Sequence, residues 1–188
     1  MKELNKPLAI LDLDQTLIYA SKDKVAEREH DFMVFKYHVY KRPYLDEFLN
    51  RLGRSFKIAI WSSAGNEYVN NVVDNLNLNL ELEFIWGRNE SILKVENYEE
   101  FTLEIEEEQF YVKPLKKVKR RGYKIERILI IDDSPHKSKL NYGNAIYPKS
   151  YKGDINDNEL LKLIDYLDSI KDELNFRKIE KRNWRNDY

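Results

Sequence analysis

The sequence predicts an α/β domain built on a parallel β-sheet, and three observations carry that prediction. Short, nearly continuous runs of Ile, Leu and Val recur with turn residues at their ends, at 8–13, 57–62 ("KIAIWS"), 82–86 ("LEFIW"), 127–131 ("RILII") and 144–147 ("NAIY"). Runs without polar alternation suit strands buried on both faces, as in a parallel sheet. Helical patterns lie between several of them, and strand, helix, strand alternation joins parallel neighbours through right-handed crossovers. Finally, three of the runs end in acids or hydroxyls, which is how an α/β sheet carries a ligand site at its carboxyl edge.

The first run, "ILDLDQTLI", is an apolar strand holding Asp12 and Asp14. The polar loop "ASKDKVAEREHD" follows, and 32–40, "FMVFKYHVY", reads as an antiparallel hairpin arm. "RPYLDEFLNRLG" is a helix with Pro43 in its first turn, Leu45, Phe48, Leu49 and Leu52 on one face and Gly53 as its stop. "NEYVNNVVDNLNL" is a second helix, and "DNELLKLIDYLDSIKDEL" a third, with Leu160, Leu163, Ile164, Leu167 and Leu174 on its apolar stripe. Residues 87–112 depart from the alternation: seven glutamates and no basic residue lie between Glu96 and Glu108, and the basic stretch "KPLKKVKRRGYK" comes next. An acidic hairpin beside a solvated basic helix is the plain reading; the sharper one makes the contrast shape access to a site, or pairs the two segments. The tail, 175–188, either frays or docks through Phe176 and Trp184.

With 188 residues, 42% of them hydrophobic and 13% aromatic, the chain can build one domain, 1–188, around a real core. A net charge of -1 gives no clear nucleic-acid signal and no pull toward an anionic membrane. The absence of cysteine excludes disulfides, thiolate chemistry and cysteine zinc sites. No apolar run reaches membrane length and "MKELNKPLAIL" has no signal-peptide core, so a cytoplasmic location is expected. Oligomeric state is left open.

Asp12 and Asp14 are two positions apart in a strand and so point to one side. Two like charges a few ångströms apart repel by several kcal/mol at an effective dielectric of about 20, so one is protonated or a cation sits between them. "RILIIDDSP" sets Asp132 and Asp133 at a second strand end, and "KIAIWSSAGN" sets Ser62 and Ser63 at a third, before a helix N-terminus that favours anions. Hard oxygen ligands select Mg²⁺, which offsets the repulsion and brings in a phosphate. Lys113, before Pro114 at the opening of the basic helix, is the candidate positive charge for that phosphate. His30, His38 and His136 are scattered and read as structural or surface residues.

The ordered set Asp-x-Asp-x-Thr, hydroxyl strand end, Lys, Asp-Asp resembles the haloacid dehalogenase superfamily of phosphotransferases. More narrowly, "ILDLDQTLI", "KRPYLDEFLNRLG", "IAIWSSAGNEYVNNVVDNL", "YVKPLKKV", "ILIIDDSP" and "NYGNAIYP" are similar to the small C-terminal-domain phosphatases, or NLI-interacting-factor-like phosphatases, from about Leu8 to about Leu174. The resemblance implies a Rossmann-like three-layer core with a small β insertion between the second and third motifs. It makes Asp12 the nucleophile forming an aspartyl-phosphate and Asp14 the general acid, then base. Thr16 would hold the first loop, Ser62 bind phosphoryl oxygens and Lys113 neutralise charge. Mg²⁺ would be held by the Asp12 carboxylate, the Asp14 backbone carbonyl and Asp132, with Asp133 acting through water. Asn144 matches a recurrent position near the site, and Arg88 an arginine of the insert.

Gln15, Ser62 and Asp133 replace a common Glu, Thr and Asn, all chemically close. The glutamate-rich insert departs further, so the family's substrate, a phosphoserine beside proline on a polymerase tail, does not transfer. The expected partner is a phosphorylated protein, with a small phosphorylated metabolite or nucleic-acid end as the alternative. A receiver domain uses similar groups in another chain order, its acidic pair first. A phosphate-binding scaffold without turnover would have no use for Asp14.

Overall fold

In this computed structural model, residues 6–26, 28–99, 105–186 and 188 are described. The elements run β1 (Leu8–Leu11), β2 (Ile18–Ser21), β3 (Phe32–Val34), β4 (Tyr37–Lys41), α1 (Leu45–Ser55), β5 (Lys57–Trp61), α2 (Asn66–Leu76), β6 (Leu82–Trp86), β7 (Ile92–Glu99) and β8 (Ile105–Val112). They continue with α3 (Lys116–Lys119), β9 (Ile128–Ile131), β10 (Ala145–Ile146) and α4 (Glu159–Ile170).

Five strands form a parallel sheet in the order β10-β9-β1-β5-β6. The two-residue period of a strand divides its core. Ala9 and Leu11, Ile58 and Ile60, and Leu129 and Ile131 face α1, α2 and α4. Leu8 and Ile10, Ala59 and Trp61, and Ile128 and Ile130 face the other way, onto Leu115, Val118 and Phe84. That second layer is thin. The basic stretch expected to be a helix forms only the four residues of α3, because Pro114 precedes it and Gly122, at φ +96°, follows. Leu115 and Val118 are its fully buried contacts.

Elements differ from expectation mainly at their ends. Strands predicted over 8–13 and 57–62 stop at Leu11 and Trp61, so the acids and hydroxyls lie in loops just beyond the sheet. Helix α1 does not stop at Gly53 but runs to Ser55, since the Phe56 N–H donates to the Leu52 carbonyl at 2.8 Å and Phe56 itself is buried. Beyond the Asp12 loop, the expected hairpin arm is β3 and β4, joined by β2, which runs from the end of "ILDLDQTLI" into the start of the polar loop, in a three-stranded antiparallel sheet.

The insertion is an antiparallel hairpin whose register runs from Ile92↔Val112 to Glu99↔Ile105. Its tip, 100–104, lies outside the described residues, as do the side chains of its glutamates, so the expected pairing with the basic stretch also falls outside them. The tail docks: Phe176 stacks on Phe56 at 6.2 Å and Trp184 on Tyr166 at 5.7 Å, both buried in the main core. Among the described residues no helix is long and apolar enough to cross a membrane.

Candidate active site

Hydrogen bonding of the sheet carries one residue past the strand ends. The Asp12 N–H donates to the Ile131 carbonyl at 2.9 Å, Asp132 N–H to Ile146 at 3.2 Å and Ser62 N–H to Trp86 at 2.9 Å. The three strand ends thus bring Asp12, Asp132 and Ser62 to one edge, all fully buried. After Asp12 the chain turns back sharply: Gln15 is left-handed at φ 62°, and the Thr16 and Leu17 N–H groups donate to the Leu13 carbonyl. Thr16 anchors this turn from both ends. Its Oγ1 accepts from the Asp133 N–H at 3.1 Å, and its carbonyl accepts from Arg42 Nη1 at 3.0 Å.

The convergence expected of Asp12 and Asp14 takes a particular form: the two carboxylates leave the same loop for opposite neighbourhoods. Asp12 faces ammonium groups. Lys113 Nζ donates to its Oδ1 at 2.7 Å and to Asp132 Oδ2 at 2.5 Å, with no solvent exposure. Lys137 Nζ reaches Asp12 Oδ2 at 3.2 Å, Asp132 Oδ1 at 3.5 Å and Asp133 Oδ1 at 4.0 Å. Burial alone would raise the Asp12 carboxyl, but the two lysines reverse the direction and keep it ionised below its ordinary value. Asp132 shares the same lysines yet is pushed upward, by burial and then by the charge of Asp12.

Asp14 faces hydroxyls instead. Tyr68, from α2, donates to its Oδ1 at 2.7 Å, and Ser62 Oγ lies 3.5 Å from its Oδ2. Its carboxyl is raised, first by burial and further by the charge of Asp12, against the hydrogen bond from Tyr68. Burial, then the Asp14 charge, raises the Tyr68 phenol too, so it stays a donor. The Tyr68 ring meets Tyr37 of β4 edge-on at 6.0 Å.

Among the described residues, Asp12, Asp132 and Asp133 form a group whose carboxylate oxygens lie within 4.8 Å of one another. A donor set made only of carboxylate oxygen fits a hard divalent cation. The Asp14 carboxylate is not in the group.

Two residues carried over from the resemblance stand outside this cluster. Asn144 is buried, with Nδ2 donating to the Ile125 and Ile128 carbonyls at 2.6 and 2.8 Å, at the opposite end of β9 from Asp132. Its place is to bind the segment before β10 to the start of β9. Arg88 lies exposed on the rim: its Nε donates to the Ser63 carbonyl at 2.9 Å and its guanidinium covers Tyr111 at 5.0 Å. Gly87 permits this close turn, since a Cβ there would sit 2.5 Å from Asn66 Oδ1 and 2.9 Å from Asn66 Cα. His30 and His38 pack edge-on at 4.8 Å, and His136 meets Phe110 at 5.3 Å.

Sequence reading missed Tyr68, Lys137 and Arg42. Tyr68 read as one more helix position. Lys137 lies four residues past Asp133 in "DDSPHKSK", which looked like turn chemistry. Arg42 is 1% exposed and holds Asp157 with two bonds of 2.8 Å, besides its bonds to the Thr16 and Lys149 carbonyls.

A parallel sheet with this carboxylate edge is of the haloacid dehalogenase type, and solved structures agree on the fold. The structure of Fcp1, an essential RNA polymerase II CTD phosphatase, superposes with a TM-score of 0.57 at 15% identity, covering 91% of this chain and 52% of that one. The chain belongs to the NLI interacting factor-like phosphatase family, whose model matches residues 7–177. Human CTD small phosphatase-like protein is 28% identical over 177 residues, 91% of this chain and 58% of the relative. Phosphatase PSR1 of Saccharomyces cerevisiae is 31% identical over 182 residues, 93% of this chain and 39% of the relative. CTD small phosphatase-like protein 2 of Dictyostelium discoideum is 28% identical over 167 residues, 86% of this chain and 27% of the relative. The chain therefore spans between about a quarter and three-fifths of the length of these relatives.

Proposed function

We propose that this chain is a Mg²⁺-dependent phosphomonoester hydrolase that works through an aspartyl-phosphate on Asp12, with phosphorylated Ser or Thr of a protein as its substrate. The observation that carries the reading is the division of the two acids: Asp12 ionised between ammonium groups, Asp14 raised toward its protonated form among hydroxyls. Two carboxyl groups whose environments push their pKa values apart divide into nucleophile and acid. The names of the relatives, CTD small phosphatase-like proteins and a phosphatase, support the protein substrate.

In the first step an Asp12 carboxylate oxygen attacks phosphorus and the ester P–O bond breaks. The Asp14 carboxyl gives its proton to the departing alkoxide, which leaves as the alcohol. In the second step Asp14, now a carboxylate, takes a proton from water as that water attacks phosphorus. The acyl-phosphate P–O bond breaks, freeing Asp12 and inorganic phosphate. Covalent relay through Asp12 divides a hard displacement into two easier ones, and fixed charge stabilises the transferring group. Ser62 holds its hydroxyl toward Asp14, and Thr16 keeps the Asp12 and Asp132 loops in register.

The carboxylates of Asp12, Asp132 and Asp133, with the Asp14 backbone carbonyl, would hold Mg²⁺, which supplies Lewis-acid neutralisation of phosphoryl charge. Hydrolysis of p-nitrophenyl phosphate with and without Mg²⁺ tests the proposal. Metal-dependent turnover by the wild type and none by Asp12→Asn is expected; equal rates for the two proteins would refute it. Phosphoserine and phosphothreonine peptides turned over faster than a panel of phosphorylated metabolites and nucleic-acid ends would support the protein substrate, and the reverse preference would overturn it.

A further inference from the structure

Two segments of opposite charge follow one another in the chain, away from the carboxylate edge. The ribbon of β7 and β8 pairs with no other strand among the described residues. A lone two-stranded ribbon is marginally stable in water, and this one leaves Ile92, Leu93 and Val95 exposed by 42, 46 and 48%. Its register sets Glu96 directly opposite Glu108, and Glu107, Glu106 and Glu99 stand on the next three pairs. Like charges facing each other across a ribbon destabilise it, and no Lys or Arg occurs between Lys94 and Lys113 to offset them.

The stretch that follows has the opposite charge. Lys116, Lys117, Lys119, Arg120, Arg121 and Lys124 are six cations within nine residues, and those nine hold no acid. All but Lys117 are exposed. Arg121 lies over the Phe84 and Trp86 rings at 5.1 and 5.6 Å, and the other five make no ion pair among the described residues. Buried Leu115 and Val118 pin α3 against the sheet, so this basic face is fixed to the body of the protein. The ribbon starts nearby, with Val112 buried at its base, but its acids begin four register pairs farther on, roughly 13 Å along the strand at about 3.3 Å per residue. Acids carried outward and cations held at the core surface meet when the ribbon of one molecule crosses the α3 face of another.

We propose that the protein pairs with a second copy of itself, the glutamate-bearing ribbon of each molecule lying on the basic face of the other. Two such contacts related by a twofold axis close a dimer. Contact relieves the repulsion of Glu96 with Glu108 and that among the six cations together, and it gives the ribbon the packing partner it lacks. The carboxylates of Asp12, Asp132 and Asp133 take no part in it.

Sedimentation velocity of the whole chain over a range of protein concentrations, in about 0.1 M and about 1 M salt, tests the pairing, since the screening length falls from about 10 Å to about 3 Å between the two. The expected result is a dimer at the lower salt whose affinity falls by about tenfold or more at the higher. Two charge-reversed variants then assign the surfaces: Lys116→Glu with Lys119→Glu and Arg120→Glu on the face, and Glu106→Lys with Glu107→Lys and Glu108→Lys on the ribbon. Each alone should be monomeric at the lower salt, and the two mixed in equal amounts should form a one-to-one heterodimer. A wild type monomeric at both salts, a dimer of salt-independent affinity, a dimer kept by either variant alone, or variants that stay apart when mixed would each overturn the proposal. Binding of an oligonucleotide by a monomeric wild type would give the basic face to nucleic acid and overturn it as well.

Discussion

The two flanks of the Asp12 loop show how one short turn serves two kinds of chemistry. On the β9 side three carboxylates meet two lysines, and Coulomb attraction overcomes desolvation to keep Asp12 charged. On the α2 side the partners are a phenol and a hydroxyl, so desolvation prevails and Asp14 rises. Burial is common to both acids; the charge of the neighbour decides the direction. In the mechanism proposed above, the roles of nucleophile and acid follow from which strand-end loop each carboxylate turns toward.

The largest effect comes from removing the charged flank's central group. Asp12→Asn should lower kcat by about 10⁴-fold or more, as loss of a covalent nucleophile does, in a steady-state assay with p-nitrophenyl phosphate. On the neutral flank, Asp14→Asn should lower kcat/KM, which reads the steps through transfer to Asp12, by about 10²- to 10⁴-fold for an alkyl phosphate. The loss with p-nitrophenyl phosphate, whose leaving group hardly needs a proton, should be much smaller. Equal losses with both esters would remove the acid role from Asp14.

Arg42 supports both flanks from behind, through the Thr16 carbonyl and Asp157. Arg42→Met leaves Asp157, the buried Thr16 carbonyl and the Lys149 carbonyl without their donor and should lower stability by about 3 kcal/mol, read from denaturant unfolding. Smallest is the change on Tyr68. Tyr68→Phe deletes the bond that favours ionised Asp14, so the carboxyl rises further. The rate falls as pH climbs through the pKa of an acid that must be protonated. In Tyr68→Phe that fall should therefore move to higher pH, with kcat reduced by about tenfold or less. A shift to lower pH would mean that Tyr68 does not favour the carboxylate.

Much of this arrangement was legible in the sequence because it rests on local rules. Runs such as "RILII" specify buried strands, and an acid directly after such a run must stand at the carboxyl edge. Asp12, Asp14, Ser62 and Asp132 needed only that reasoning. Lys113 contacts both Asp12 and Asp132, and its commitment to Asp132 depends on β9 lying next to β1, a pairing between residues far apart in the chain. Tyr68 and Lys137 were missed for the same reason: a helix position and a turn position acquire their partners only when the strands align. Asn144 shows the converse, since its match to a recurrent family position suggested the site while its amide faces the other end of β9. Helix length was the poorest inference, as the shortness of α3 follows from Pro114 and a left-handed Gly122 more than from its charges.

Trapping the covalent intermediate tests the central claim most directly. Protein turning over a phosphomonoester with Mg²⁺ is quenched and treated with borohydride, which reduces an aspartyl-phosphate to homoserine, and peptides are sequenced by mass spectrometry. Homoserine at position 12, absent without Mg²⁺ and absent in Asp12→Asn, is the predicted result. Homoserine at position 14 would contradict the assignment of the two acids, and steady turnover with no homoserine at any aspartate would contradict the covalent route itself.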